Sequence, residues 1–153
     1  NNKNIPTIVD PKKHNFLSYK NCTLFKPNLN EIKNGLDTNL DINNVNEIEA
    51  ITSKLRDVIS ANAILLTLSD KGVFLNTKNG SKLNASTTSN VIDVSGAGDT
   101  VVSVAAMCLA CHIDFDELAI LANIAGGIVC EKVGVVPISN IELLDRAKEL
   151  LNV

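Results

Sequence analysis

The sequence contains no tryptophan, one tyrosine and one methionine, and aromatic residues make up 3% of its 153 positions. So few rings leave little to stack against the bases of a single-stranded nucleic acid. Excess positive charge is missing as well: 14 lysines and arginines face 17 aspartates and glutamates, a net charge of −3. That balance does not suit nucleic acid or an anionic membrane surface as a partner. No apolar run approaches the ~20 residues of a membrane-spanning helix. No signal-peptide pattern opens the chain, so the expected setting is cytoplasmic. The chain begins Asn1-Asn2-Lys3-Asn4 without an initiator methionine, as a processed start or a fragment does.

Cysteine is sparse, with Cys22, Cys108, Cys111 and Cys130, and without an export signal reduced thiols are expected. Cys108-Leu-Ala-Cys111-His112 fits the C-x-x-C-H pattern of covalent haem attachment. It lies in an apolar helical run, however, and Met107 is too close to His112 to serve as an opposite axial ligand. A structural zinc would need more ligands than the segment holds. Small buried cysteines on a packed helix are the expectation.

What is present is core-forming material. Hydrophobic residues reach 45%, enough for one domain over residues 1–153, and there is no repeat, low-complexity tract or linker. The chain is organised around Val91-Ile92-Asp93-Val94-Ser95-Gly96-Ala97-Gly98-Asp99-Thr100. It reads as a short strand, a glycine turn and the start of a buried helix running through Val101 to Cys111. Gly96 and Gly98 permit a tight turn and close approach of a ligand. The first free N–H groups of such a helix, at Ala97, Gly98 and Asp99, together with the helix dipole, make an anion site. Asp99 sets a carboxylate beside it. In a phosphoryl transfer the amides would stabilise the moving group while Asp99 accepts the proton of the attacking hydroxyl, which can leave late in a loose transition state. From these residues alone an ordinary glycine turn, with Asp99 as a helix-start acid, is the readier reading. Neither G-x-x-x-x-G-K-[ST] nor G-x-G-x-x-G is present, which leaves a dinucleotide-binding reading weak.

Elsewhere, Ile5 to Val9 and Cys22 to Phe25 read as short strands. Lys12 and Lys13, after the first, could face a phosphate or water, and His14 reads as surface. Asn28 and Glu31 have capping-box spacing at a helix start. Asn34 to Asn46 reads as loop. Val45, Ile48, Ile51, Leu55, Val58 and Ile59 form a core-facing helical stripe. Ala63 to Leu68 reads as a strand buried on both faces. Ser69 to Gly72 is a turn, Val73 to Leu75 a strand, Asn76 to Gly80 a hairpin tip and Lys82 to Ala85 an edge strand. Asp114 or Asp116 can start a buried helix whose one strongly polar interior residue, Asn123, needs partners. Gly126-Gly127 points to close approach of backbone or ligand. Lys132 to Pro137 reads as extended, and Ser139 caps a last helix over Ile141 to Leu151.

Taken in order, Val9-Asp-Pro-Lys12, Pro27-Asn28-Leu29-Asn30-Glu31, Thr67-x-Ser69-x-x-Gly72, Asp93-x-x-Gly96-Ala97-Gly98-Asp99 and Ala122-Asn123-x-Ala-Gly126 resemble the second half of the ribokinase-like (PfkB) sugar kinases. The resemblance implies a three-layer α/β/α, Rossmann-like fold with a mostly parallel sheet and an antiparallel hairpin at one edge. It implies Asp99 as catalytic base and Gly96, Ala97 and Gly98 as anion hole. Asn28, Leu29, Asn30 and Glu31 would serve the nucleotide phosphates, with Glu31 at magnesium. Thr67, Ser69, Gly72 and Asn123 would line the nucleotide. Many members carry glycine where Ser69 stands; serine there resembles the branch acting on heptose 7-phosphate. The implied activity is transfer of the ATP γ-phosphoryl group to a small phosphosugar, O-1 of D-glycero-D-manno-heptose 7-phosphate in that branch, with ATP and magnesium required. The implied sugar-selecting half lies upstream, and a homodimer is compatible with the pattern. The alternatives are a kinase of this type for another sugar, and a non-catalytic nucleotide-binding or interaction domain.

Overall fold

The computed structural model describes residues 5–151; Asn1 to Asn4, the polar opening noted above, lie outside them. Five strands, β1 (Ile8–Val9), β2 (Leu24–Phe25), β3 (Ala63–Thr67), β4 (Val73–Thr77) and β5 (Gly80–Asn84), form one open sheet in that order. β1 and β2 pair in parallel, as do β2 and β3, whereas β3 and β4 are antiparallel. The helices are α1 (Leu29–Leu36), α2 (Val45–Ile59), α3 (Ala97–Ala110), α4 (Phe115–Cys130) and α5 (Asn140–Leu151). The result is the expected α/β class with a mixed sheet. The chain divides into two compact units. One holds the chain to Leu68 together with Val73–Leu83; the other holds Ser69–Gly72 and everything from Asn84 on.

The first unit is built on β3, whose residues Ala63 to Leu66 are fully buried. A continuous apolar strand needs cover on both faces. Phe25, Ile32, Ile48, Leu55, Ile59, Ile64, Leu66 and Phe74 pack into one core. Phe16 meets Phe25 edge-on at 5.3 Å, a favoured aromatic geometry. Asn28 starts α1 with a complete capping box: its side chain accepts from the Glu31 N–H at 2.8 Å, and the Glu31 carboxylate accepts from the Asn28 N–H at 2.7 Å.

Several expectations in this unit need correction. α1 runs to Leu36 and α2 begins at Val45, so the irregular stretch between them is shorter than Asn34 to Asn46. The helical stripe is narrower than its spacing suggests. Ile48, Leu55 and Ile59 are buried with Thr52, but Val45 and Val58 are exposed. Thr52 joins the buried face because its hydroxyl donates to the Ile48 carbonyl at 2.7 Å. β4 continues to Thr77, leaving only Lys78 and Asn79 at the hairpin tip.

In the second unit α3 and α4 pack closely. A Cβ on Gly126 would come within 2.9 Å of Val101 Cγ2, and one on Gly127 within 2.6 Å of Thr87 Oγ1, so both glycines mark close approach. Asp114 caps α4 by accepting from the Glu117 N–H at 2.9 Å, and Ser139 caps α5 by accepting from the Glu142 N–H at 3.1 Å. α5 is fastened to the end of α4 by Arg146, whose guanidinium makes two hydrogen bonds to the Glu131 carboxylate at 2.8 and 3.1 Å. Lys132 pairs with Glu142 at 2.7 Å.

Three expectations fail here. Residues 91–94 form no strand, and Val91, Ile92 and Val94 are exposed. The Ile92 and Asp93 N–H groups instead donate to the Cys130 carbonyl, at 2.8 and 3.2 Å. α3 buries one face, with Val101, Val104, Ala105 and Cys108 inside and Met107 outside. Cys111 lies just past the end of α3 and is exposed, so the expectation of buried cysteines holds for Cys108 and not for it.

Candidate functional site

In the first unit the carboxyl ends of neighbouring strands bring polar groups together. β2 leads through Lys26 and Pro27 into the capping box, and the Thr67 N–H donates to the Pro27 carbonyl at 3.1 Å, with Asn28 bridging Thr67 in parallel. Asn28, Glu31 and Thr67 therefore cluster at the carboxyl edge of the sheet, where open α/β sheets bind ligands. Leu29 and Asn30 form the first turn of α1 behind them. At the end of β1, Asp10 pairs with Lys26 at 2.8 Å and with Lys12 at 3.1 Å. Lys26 is buried, and its ion pair is the electrostatic feature that reading the sequence missed. Lys12 and Lys13, the two lysines the sequence offers after β1, are exposed. The signal available was a lysine flanked by an apolar strand and a proline. Burial pushes the Asp10 carboxyl up, but Lys26 and then Lys12, by hydrogen bond and charge, hold it below the usual carboxylate range.

Metal-binding capacity at this edge is modest. Among the described residues no three histidines, cysteines or carboxylates gather as a metal cluster. Glu31, with one oxygen already accepting from the Asn28 N–H, has a second oxygen to offer. That donor set suits magnesium, which keeps most of its water and takes one or two carboxylates plus phosphate oxygens.

In the second unit the turn Ser69–Gly72 packs against the end of β5. Ser69 has a left-handed backbone, φ 55°, a conformation that favours glycine. Gly72 has φ +93°, and a Cβ on it would overlap the Asn84 carbonyl oxygen; only glycine fits. Asn123 is buried and reaches the same place: its amide donates to the Ala85 carbonyl at 2.7 Å and, at 3.5 Å, to that of Asn84. The buried amide is satisfied by backbone. Gly72 and Asn123 are thus brought together around Asn84 and Ala85, and the Ser69 carbonyl accepts from the Gly72 N–H at 3.2 Å.

At the head of α3, Gly96 is the N-cap residue with φ +79° and no side chain caps the helix. Asp99 lies exposed in the first turn. The Thr100 N–H donates to the Gly96 carbonyl at 2.9 Å, opening the helix. The expectation of three free amides is corrected at Ala97, whose N–H donates to the Val94 carbonyl at 3.2 Å because the turn closes on itself. Gly98 and Asp99 lie in the first turn of an uncapped helix, where partial positive charge collects.

The profile described as "pfkB family carbohydrate kinase" matches residues 1–141. The chain belongs to the pfkB family of carbohydrate kinases. Family relatives include the bifunctional protein HldE of Koribacter versatilis, 35% identical over 143 residues, covering 94% of this chain and 29% of that protein. HldE of Haemophilus influenzae strain PittEE is 39% identical over 141 residues, covering 92% and 29%. The chain spans under a third of the length of these relatives. Among solved structures, Escherichia coli phosphofructokinase-2 in complex with potassium superposes with a TM-score of 0.85 at 18% identity, covering 95% of this chain and 48% of that one. Arabidopsis thaliana ribokinase complexed with ribose and ATP gives 0.76 at 19% identity, covering 94% and 47%. At such identities the likeness is one of fold, and the fold is ribokinase-like.

Proposed function

We propose that residues 1–153 act as one domain, the nucleotide-binding half of an ATP-dependent sugar kinase, with Asp99 as the base. The observation that carries this is the head of α3: an uncapped helix start, opened by a left-handed glycine, with an exposed carboxylate three residues on. Family membership supports the same reading. In the transfer, the acceptor hydroxyl oxygen bonds to the γ-phosphorus as the bond to the β,γ-bridging oxygen breaks. Asp99 takes the hydroxyl proton, and the Gly98 and Asp99 amides offset charge on the phosphoryl oxygens. Gly96 and Ala97 shape the turn that presents them. Asn28, Leu29, Asn30 and Glu31 serve the phosphate side, and Thr67, Ser69, Gly72 and Asn123 the nucleotide. Magnesium, held at Glu31 through water, would neutralise phosphate charge.

The substrate we propose is heptose 7-phosphate, phosphorylated at O-1, because the chain's relatives at 35–39% identity are HldE proteins and Ser69 stands where that branch carries serine. A cytoplasmic setting, a homodimer and an upstream half supplying the sugar contacts belong to the same proposal. A second reading is a nucleotide-binding domain without turnover. Calorimetry with ATP and magnesium, alongside transfer assays on heptose 7-phosphate and other phosphosugars, separates the two. Binding with transfer supports the kinase, binding without transfer supports the second reading, and absence of both contradicts each.

A further inference from the structure

The Cys108-Leu109-Ala110-Cys111-His112 run closes α3 at the end opposite Asp99, and the kinase reading gives it no task. Met107, the chain's one methionine, immediately precedes it. Methionine is usually core material, yet Met107 is 58% exposed. At about 100° per residue of α-helix, Cys111 stands about 40° from Met107 and about 60° from Cys108 around the axis, one turn further on. The three sulfur-bearing residues therefore share one arc of the last turn, with Cys111 in the middle. The helix keeps its form that far, because the Cys111 N–H donates to the Met107 carbonyl at 3.0 Å. His112 then takes a left-handed backbone, φ 58°. Its N–H donates to the Leu109 carbonyl at 3.2 Å and the Ile113 N–H to the Cys108 carbonyl at 3.0 Å, the bond pair that locks a helix end.

The surroundings suit a cation. Partial negative charge collects at a helix C-terminus, and α3 has no basic residue in its last turn to offset it. Burial pushes the Cys108 thiol up, and Cys111 and Glu117 add to the push, so both lie close enough for their charge to be felt. Cys108 is buried while Cys111 and Met107 are exposed, which gives one wall away from water and one open side. A direct disulfide fits the pair poorly: side chains three apart on a helix keep their Cβ atoms about 5–6 Å apart, against about 3.5–4.5 Å in a disulfide. An ion between the sulfurs spans the wider gap. Among the described residues no three histidines, cysteines or carboxylates gather, so zinc does not find its usual ligand set. Two thiolates and a thioether are soft donors, and soft donors select monovalent copper.

We propose that Met107, Cys108 and Cys111 form a three-sulfur site for a soft metal ion, Cu(I), the two thiols giving their protons to solvent as the ion enters. The site is independent of the phosphoryl chemistry proposed for the other end of α3.

The test uses the whole protein, reduced and kept from oxygen, titrated with Cu(I) against the chelator bicinchoninate. Wild type should hold a single Cu(I). Removing a thiolate should cost at least the about 10–100-fold in affinity that losing a ligand's hydrogen-bond partner costs, so Cys111→Ser and Cys108→Ala should yield the ion to the chelator. Met107→Leu should hold it several-fold more weakly, and Cys130→Ala should bind as wild type does. Failure of wild type to compete with the chelator overturns the proposal, as does wild-type affinity in Cys111→Ser, Cys108→Ala or Met107→Leu, or loss of the ion from Cys130→Ala. If Cys108→Ala does not fold, alkylation of wild type decides beside Cys111→Ser. Bound Cu(I) should shield Cys111 from a reagent that labels it in the metal-free protein, and labelling at the metal-free rate overturns the proposal.

Discussion

Glu31 caps α1 and is proposed to hold magnesium, and substitution can pull the two roles apart. Its carboxylate accepts from the Asn28 N–H at 2.7 Å in the capping box, and it is the carboxylate proposed for magnesium. Glutamine keeps an acceptor of the same length at the same place, so Glu31→Gln should preserve the box and lose mainly the charge–dipole gain, about 0.3–1 kcal/mol at a helix start. Glu31→Ala frees the Asn28 N–H as well and should cost about 1 kcal/mol more, the usual worth of a net hydrogen bond. Asn28→Ala, losing the other half of the box, should cost about 0.5–2 kcal/mol. Urea denaturation reads these costs; titration of nucleotide binding with magnesium reads the second job. We expect Glu31→Gln to be nearly as stable as wild type yet to need several-fold more magnesium. If Glu31→Gln loses as much stability as Glu31→Ala while its magnesium titration is unchanged, the carboxylate is only a cap and the metal assignment is refuted.

Gly72→Ala meets both a positive φ and a collision with the Asn84 carbonyl, whereas Gly80→Ala meets a φ of +139° with nothing within 4 Å. Denaturation should show Gly72→Ala more destabilising than Gly80→Ala by about 1–3 kcal/mol, the cost of overpacking, together with weakened nucleotide binding. Brief alkylation of native protein followed by mass spectrometry should label Cys111, the exposed thiol, ahead of Cys22 and Cys108; burial also pushes the Cys22 and Cys108 thiols up. The Arg146 side chain, above all by hydrogen bonding, lowers the Glu131 carboxyl. Its contribution, about 1 kcal/mol or less for a partly exposed pair, should be full above the ordinary glutamate range and fade as the pH falls through the lowered value. The stability gap between wild type and Arg146→Met, followed by denaturation from neutral to acid pH, should close in that order.

The parts of this fold legible in the sequence are those decided locally. Caps are the clearest case: Asn28 with Glu31, Asp114 and Ser139 each accept from an amide three residues on. The buried β3 strand was legible because only a doubly covered strand tolerates such an apolar run. Residues 91–94 read as a strand from their β-branched residues, but their amides find the Cys130 carbonyl, a partner 37 or more residues away that no local pattern encodes. The Asp10–Lys26 contact was illegible for the same reason. The glycine turn was legible as a helix start, though not the loss of the Ala97 amide to its own turn. The left-handed backbone of Ser69 is not legible from the sequence, since serine seldom marks that conformation.

Steady-state turnover and ATP binding of Asp99→Asn in the whole protein bear most directly on what the head of α3 does. Asparagine keeps the size and the helix start but takes no proton from the acceptor. Turnover should fall about 10²–10⁴-fold, the range for a positioned base, while magnesium–ATP binding by calorimetry changes little. Turnover close to wild type would show that Asp99 is not the base.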